Sequence, residues 1–181
     1  MSSGMLLEHD WFPKLLPSNV MIGQNSWLYS SFAFLHFKSQ KEVAVIIGKS
    51  CGIYNGTFFE LGPEGVVEIG DFSTLVGVII STNGSVSIGN YCVLAHEVVI
   101  ADCHAMTPYY SRITTERYKS KNSDNISIGN NVWVGTGVTI LSGAKIGDGA
   151  VIGAGSVINF QVPAMTIVAG NPAGIVGTVP R

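Results

Sequence analysis

The feature that most constrains this chain is a six-residue repeat that runs through residues 128–163. Aliphatic residues recur at every sixth position, namely Ile128, Val134, Ile140, Ile146, Ile152 and Ile158. A second set of small or aliphatic residues, four places after each of these, comprises Val132, Val138, Ala144, Ala150, Ser156 and Val162. This period, with glycine often following the aliphatic residue, is typical of a parallel β-helix, in which each unit is a short strand and a corner.

Three such units close one triangular coil, so residues 18 apart in the sequence stack at about 4.8 Å, the spacing of neighbouring strands. We therefore expect Ile128 to stack on Ile146. By the same count Val134 stacks on Ile152 and Ile140 on Ile158. An α-helix is excluded because its apolar residues recur with a period of 3.6, and because glycine and β-branched residues form helices poorly.

The repeat divides the 181 residues into one domain with two flanking segments. We expect an N-terminal capping segment over residues 1–19, a β-helix of about seven coils over 20–163 and a C-terminal tail over 164–181. The register slips by about one residue before Ile88. His9 and His36 have no supporting motif, so we expect structural roles for both.

Composition excludes several classes of function. Only 12% of residues are charged and the net charge is −2, so no basic surface predicts nucleic-acid binding. No apolar run is long enough to predict stable membrane insertion, and no signal peptide is evident. The odd cysteine count, Cys51, Cys92 and Cys103, without metal-ligand spacing predicts reduced thiols in a cytoplasmic protein and no metal site. Cys92 falls on a small-residue position of the repeat, which predicts burial.

One long interruption separates Ile100 from Ile126 and predicts an extended loop over about 104–125. It begins at His104, and four of the ten basic residues lie between 112 and 121. Long loops in regular domains are often functional. The alternative is an ordinary solvated surface loop.

Three segments together resemble the hexapeptide-repeat acyltransferases. They are Ile-Ser-Ile-Gly-Asn-Asn-Val-Trp-Val-Gly at 126–135, Ile-Gly-Asp-Gly-Ala-Val-Ile-Gly-Ala-Gly-Ser at 146–156 and Gly-Asn-Pro-Ala at 170–173. The nearest branch is similar to the sugar O-acetyltransferases, which include the galactoside and maltose enzymes. The resemblance implies an all-β, left-handed parallel β-helix and a homotrimer. It also implies acetyl-CoA as cosubstrate between subunits and a sugar-containing acceptor that enters from the opposite side.

The chemistry requires a base, because an alcohol must lose its proton as it attacks a thioester. His104 stands where the resembled family has its catalytic histidine, and neutral imidazole suits this task. Asp102 either orients His104 or is a turn aspartate. His96 is the alternative base, or else a histidine of the surface or the subunit interface.

The resemblance also implies a cofactor-binding set. Trp133 corresponds to a tryptophan that lines the pantetheine and acyl end, with trimer packing as its alternative role. Thr136 is placed to donate to the developing oxyanion. Ala154, with the backbone around Gly135 and Gly153, corresponds to positions that contact pantetheine, where small residues allow close approach.

Two departures from the family concern the CoA phosphates. Phe160 and Gly174 stand where relatives have lysine and arginine, so cations elsewhere must serve, for which the candidates are Arg112, Arg117, Lys119, Lys121 and Arg181. Other functions also remain open at this point. They are N-acetyl transfer to an amino sugar and a non-catalytic scaffold or binding protein. A zinc carbonic anhydrase on the same solenoid would need three histidine ligands, and no such set is evident.

Overall fold

A computed structural model describes residues 5–102 and 125–180, which form a triangular prism of three sheets. The first sheet contains β1 (Val20–Ile22), β3 (Val45–Ile47), β6 (Val66–Ile69), β9 (Ser85–Ile88), β12 (Ile126–Ile128), β15 (Lys145–Ile146) and β18 (Gln161–Val162). The second contains β2 (Trp27–Leu28), β4 (Gly52–Ile53), β7 (Thr74–Leu75), β10 (Val93–Leu94), β13 (Trp133–Val134), β16 (Val151–Ile152), β19 (Thr166–Gly170) and β20 (Ala173–Thr178). The third contains β5 (Phe58–Leu61), β8 (Ile79–Thr82), β11 (Val99–Ala101), β14 (Thr139–Leu141) and β17 (Val157–Ile158).

The chain visits the three sheets in turn, and its strands pair in parallel with those of the coils before and after. This confirms the predicted left-handed parallel β-helix, although it makes about six turns and not the seven expected from its length. In the first coil a 3₁₀ helix, Ser31–Phe34, occupies the place of a strand of the third sheet. At the other end β20 folds back antiparallel to β19. Within the described residues, no helix is long and apolar enough to cross a membrane.

The predicted stacking is confirmed at all three positions. Ile128 pairs with Ile146, Val134 with Ile152 and Ile140 with Ile158. These six side chains are at most 3% exposed. Val162 is the exception in the second set, because it pairs with Ile146 instead of occupying a small-residue position. The reason is that only Asn159 and Phe160 separate β17 from β18.

We number the corners by the sheets that precede them. The first corner joins the first sheet to the second, and the second corner joins the second sheet to the third. The third corner joins the third sheet to the first sheet of the next coil. At the first corner, the Asn or Asp residues that follow the glycines form a ladder of hydrogen bonds between successive coils. The Asn90 N–H donates to the Asn130 side-chain oxygen at 2.9 Å, and the Asn130 N–H to Asp148 at 2.7 Å. These bonds satisfy corner N–H groups that no strand pairs, which explains the polar residue after each glycine.

Cys92 is fully buried, as predicted, and its thiol lies 3.0 Å from the Gly129 carbonyl oxygen. Burial in this apolar core raises the pKa of the thiol. Cys92 is therefore a small core residue in its neutral form. Cys103 lies outside the described residues.

Candidate functional site

The second corner brings together five of the residues that the sequence predicts for the site. Because Val134 pairs with Ile152, Gly135 and Thr136 lie directly beside Gly153 and Ala154 of the next coil. The Gly137 N–H donates to the His96 carbonyl at 2.9 Å, and the Gly155 N–H to that of Thr136 at 2.9 Å. His96, Thr136 and Ala154 thus occupy equivalent places in three successive coils, about 4.8 Å apart.

The backbone at this corner is packed too tightly for larger side chains. A Cβ atom on Gly135 would lie 2.8 Å from the Ala154 nitrogen and 3.0 Å from the Ile152 oxygen. A Cβ on Gly153 would lie 2.9 Å from the Ala169 Cβ. Glycine at both positions therefore permits the coil spacing itself. It also leaves a smooth corner in which an extended, amide-rich ligand could approach the main chain.

Trp133 stands on the outer face of the second sheet, two residues before Gly135. It lies in register between Val93 and Val151 and is 59% exposed. Val93 beside it is 46% exposed. An indole ring and an aliphatic neighbour thus form an exposed apolar strip next to the second corner.

Asp102 lies at the third corner, at the far end of β11 from His96, and holds a turn. Its Oδ2 atom accepts hydrogen bonds from the Thr82 hydroxyl at 2.5 Å and from the N–H groups of Asn83 and Gly84 at 2.8 and 2.9 Å. The side chain is only 8% exposed. The carboxylate therefore fixes the preceding coil where the insertion begins. The predicted base, His104, lies outside the described residues.

Comparison with known proteins finds the same repeat in a family of transferases. Residues 125–159 match the family described as bacterial transferase hexapeptide (six repeats). The chain is 30% identical to a maltose O-acetyltransferase from Clostridium difficile 630, with a TM-score of 0.51, over 64% of this chain and 60% of that one. It is 29% identical to the polySia-specific acetyltransferase NeuO, also with a TM-score of 0.51, over 76% and 58%.

Residues 125–159 thus carry the hexapeptide repeat of the bacterial transferases, and the chain is similar to acetyltransferases built on it.

A third similar structure, a hexapeptide-repeat-containing acetyltransferase from Vibrio cholerae O1 biovar eltor complexed with acetyl coenzyme A, shares the fold. Its identity is 22% and its TM-score 0.59, over 83% of this chain and 76% of that one. No curated protein gives a significant match. The chain spans about 60% of the length of the maltose O-acetyltransferase that it resembles.

Sequence reasoning missed an aromatic cluster that lies near the N-terminal end of the second corner. Trp11, Phe12 and Phe32 contact one another with ring centroids 5.1–5.7 Å apart, and Phe58 lies 5.6 Å from Phe32. The signal that could have revealed it is the density of aromatic residues between Trp11 and Phe37. His9 has the expected structural role, because its Nε2 atom lies 2.8 Å from the Leu28 carbonyl and its ring stacks on Trp27.

Over residues 5–102 and 125–180, no group of three or more His, Cys, Asp or Glu side chains lies close enough together to hold a metal ion.

Proposed function

We propose that this protein is an acetyl-CoA-dependent O-acetyltransferase that acts on a hydroxyl of a sugar or polysaccharide precursor. The observation that carries the proposal is the second corner, where His96, Thr136 and Ala154 line up in successive coils and where the backbone at Gly135 and Gly153 leaves no room for a Cβ atom. The similar maltose and polySia acetyltransferases support the same substrate class. Free thiols at Cys51 and Cys92 support a reducing, cytoplasmic location.

In the proposed reaction the pantetheine arm lies along Ala154 and Thr136, with the thioester nearest the corner histidine. The acceptor oxygen attacks the thioester carbonyl as its proton passes to imidazole. The carbon–sulfur bond then breaks, and the CoA thiolate takes up the proton as it leaves. The Thr136 hydroxyl, or a backbone N–H beside it, donates to the oxyanion between these two steps.

We propose a homotrimer, because the exposed apolar strip of Val93 and Trp133 borders the second corner directly. Such a strip would be covered by a neighbouring subunit, and the acetyl-CoA groove would then lie between two protomers. Asp102 lies at the third corner, at the opposite end of β11 from the second corner. We therefore propose that His104 of one protomer acts at the second corner of the next.

His104 is the proposed general base, and His96 is the alternative. His96 is exposed and lies one coil from Thr136, so it could serve without a second protomer. Orientation of His104 by Asp102 would use the carboxylate that already holds the turn at residues 82–84.

The CoA phosphates require a different partner from the usual one. Phe160 packs against the core and carries no charge. Gly174, on β20, has no side chain to offer. We retain Arg112, Arg117, Lys119, Lys121 and Arg181 as the proposed phosphate ligands, all of which lie outside the described residues.

The test is release of the CoA thiol from acetyl-CoA with a panel of neutral sugars and amino sugars. Neutral sugars are the expected acceptors, whereas turnover of amino sugars alone would indicate N-acetyl transfer. His104→Ala should lower kcat by about 10²- to 10⁴-fold, as expected for loss of a general base. Loss in His96→Ala instead would assign the base to His96. If none of the acceptors causes release of the thiol, and adding CoA does not raise the Tm, the protein is a scaffold.

A further inference from the structure

The second corner has one position in each coil where the backbone is left-handed. Five coils join a strand of the second sheet to a strand of the third, and in four of them this position is glycine. Gly56, Gly77, Gly137 and Gly155 have φ values between +62° and +81°. In the remaining coil the residue is Glu97, with a φ of +61°. A left-handed backbone is unfavourable for a residue that has a Cβ atom, so a glutamate is kept here against backbone strain.

The glycines at this position are not the only residues that the fold accepts. The first corner has an equivalent left-handed position, and six of its seven residues there are not glycine. They are Asn25, Ser50, Phe72, Tyr91, Asn131 and Met165, and the glycine is Gly149. Packing does not require glycine at Gly137 or Gly155 either, because a Cβ at these two positions would meet no atom within 4 Å. The second corner is therefore bare at this position in every described coil except the one that carries Glu97.

The charge of Glu97 stands alone on this corner. The side chain is exposed. Among the described residues, no lysine or arginine forms an ion pair with Glu97, and its carboxylate accepts no hydrogen bond. The second-corner segments contain no other Asp, Glu, Lys or Arg, and they are residues 54–57, 76–78, 95–98, 135–138 and 153–156. The carboxylate is therefore available to a molecule that approaches this corner.

Glu97 lies at the reacting end of the proposed site. Its N–H donates to the Gly77 carbonyl at 3.1 Å, and the Gly137 N–H of the next coil donates to the His96 carbonyl at 2.9 Å. Glu97 is thus about 4.8 Å, or one coil, before the corner that carries Thr136. In the proposed reaction the pantetheine arm runs along Ala154 and Thr136 and ends at the corner histidine. The carboxylate therefore stands just beyond the thioester, between two glycines that leave room beside it.

We propose that Glu97 is a specificity-determining residue that selects the acceptor by charge, and that it excludes acceptors with a carboxylate, phosphate or sulfate near the reactive hydroxyl. A carboxylate can only accept hydrogen bonds, so it is compatible with the hydroxyls of a neutral sugar and with an ammonium group. A second anion offers no proton to it and is repelled. The proposal rests on the proposed acetyl transfer, to which it adds a rule for the charge of the acceptor.

The kinetic experiment compares the wild type with Glu97→Gln on two acceptors of similar shape, methyl glucoside and glucuronate. In Glu97→Gln, kcat/KM for glucuronate should rise about 3- to 5-fold relative to that for methyl glucoside, as expected for unit charges about 5 Å apart in water. The KM for acetyl-CoA should stay unchanged. Salt at about 1 M, where the Debye length is about 3 Å, should remove most of the difference between the two proteins.

Three further variants separate the charge from other effects. Glu68→Gln removes an exposed carboxylate from the outer face of β6, on the side of the prism opposite the second corner, and should leave the acceptor preference unchanged. Glu97→Asp should keep the preference of the wild type. Glu97→Gly should reproduce the effect of Glu97→Gln on the preference while the Tm stays unchanged or rises, because glycine adopts this φ without strain.

Direct binding separates failure of the inference from failure of the proposed function. By ligand-observed NMR the wild type should bind glucosamine and methyl glucoside more tightly than glucuronate, and Glu97→Gln should lose this order. If that holds without turnover of any sugar, the charge selection stands and the proposed function fails. Turnover with the same acceptor preference in the wild type and Glu97→Gln would overturn the selection alone, as would a wild type that prefers glucuronate. Neither binding nor turnover of any of these sugars would overturn both.

Discussion

Gly135 allows the sharpest test of the coil packing at the candidate site. In Gly135→Ala the new Cβ would lie 2.8 Å from the Ala154 nitrogen and 3.0 Å from the Ile152 oxygen, where ordinary contacts begin at 3.4 Å. Both atoms belong to the backbone, so the two coils must separate by about half an ångström. Overpacking of this kind costs about 1–3 kcal/mol. For a chain of this size the Tm should fall by about 2–12 °C.

Two other glycines provide matched controls. At Gly174 an added Cβ meets nothing within 4 Å and φ is not positive, so Gly174→Ala should change stability by less than about 0.5 kcal/mol. Gly155 also faces open space but has a φ of +69°, so Gly155→Ala should cost about 1 kcal/mol through backbone strain alone. The three variants therefore separate steric contact from backbone conformation.

The assay is thermal unfolding with and without acetyl-CoA. Gly135→Ala should have both the lowest Tm of the three and the smallest rise in Tm on adding acetyl-CoA, because the same backbone is proposed to bind pantetheine. Gly174→Ala should retain the wild-type response. Equal melting of Gly135→Ala and Gly174→Ala would refute the close approach of the two coils, and with it the geometry of the second corner.

Three further predictions concern other parts of the chain. Trp133→Ala should raise the KM for acetyl-CoA while sedimentation still shows a trimer; dissociation would instead assign Trp133 to subunit packing. Burial raises the pKa of Asp10, but hydrogen bonds from Ser30, Ser31 and Phe12 outweigh it and lower the value to about 2; docking of the N-terminal segment should therefore be intact above about pH 4 and weaken as the pH falls towards 2. Tryptophan fluorescence against pH checks this, and Asp10→Asn should abolish the transition. Tyr91 has a φ of +58°, so Tyr91→Gly should leave stability unchanged or raise it by up to about 1 kcal/mol in urea unfolding; a clear loss would show that its stacking on Phe72, at 4.9 Å, outweighs the strain.

The regular part of the fold could be predicted because every unit repeats the same physical requirement. A buried aliphatic residue must meet another one coil later, and Ile128, Val134 and Ile140 do so at the expected spacing. The corner residues follow from the same logic. Asn130 occupies its place in the repeat because its side-chain oxygen accepts a hydrogen bond from a backbone N–H of the coil before it.

The departures could not be predicted, because each depends on contacts between distant residues. Nothing local distinguishes Ser31–Phe34 from another strand; it forms a 3₁₀ helix in contact with the docked N-terminal segment, where the Ser31 hydroxyl donates to the Phe12 carbonyl at 2.9 Å. Val162 shifted because the corner before it is short, which a strict count of six cannot detect.

One part of the candidate site could be predicted by counting residues, and another part could not. His96 and Thr136 are 40 residues apart, yet they lie in adjacent coils. The described residues 102 and 125 bracket an insertion of 22 residues, and 40 is one coil of 18 plus that insertion. The pairing could therefore have been found by subtracting the insertion from the count. The place of His104 relative to the second corner follows from no such count, because it depends on the insertion itself.

The register slip before Ile88 acquires a physical meaning from this comparison. Part of it arises at the corner of residues 76–78, which is one residue shorter than its neighbours and has Gly77 at its centre. A solenoid gains stability from uniformity, since each coil packs only on the next. A short corner between two full ones must turn the chain within three residues and still pack on both neighbours. Gly77 meets this requirement, because its φ is +62° and a Cβ there would already lie 3.7 Å from the Asn55 oxygen on one side and the Glu97 nitrogen on the other. The irregularity therefore keeps the contact between coils, and it does so with a residue that can adopt a positive φ.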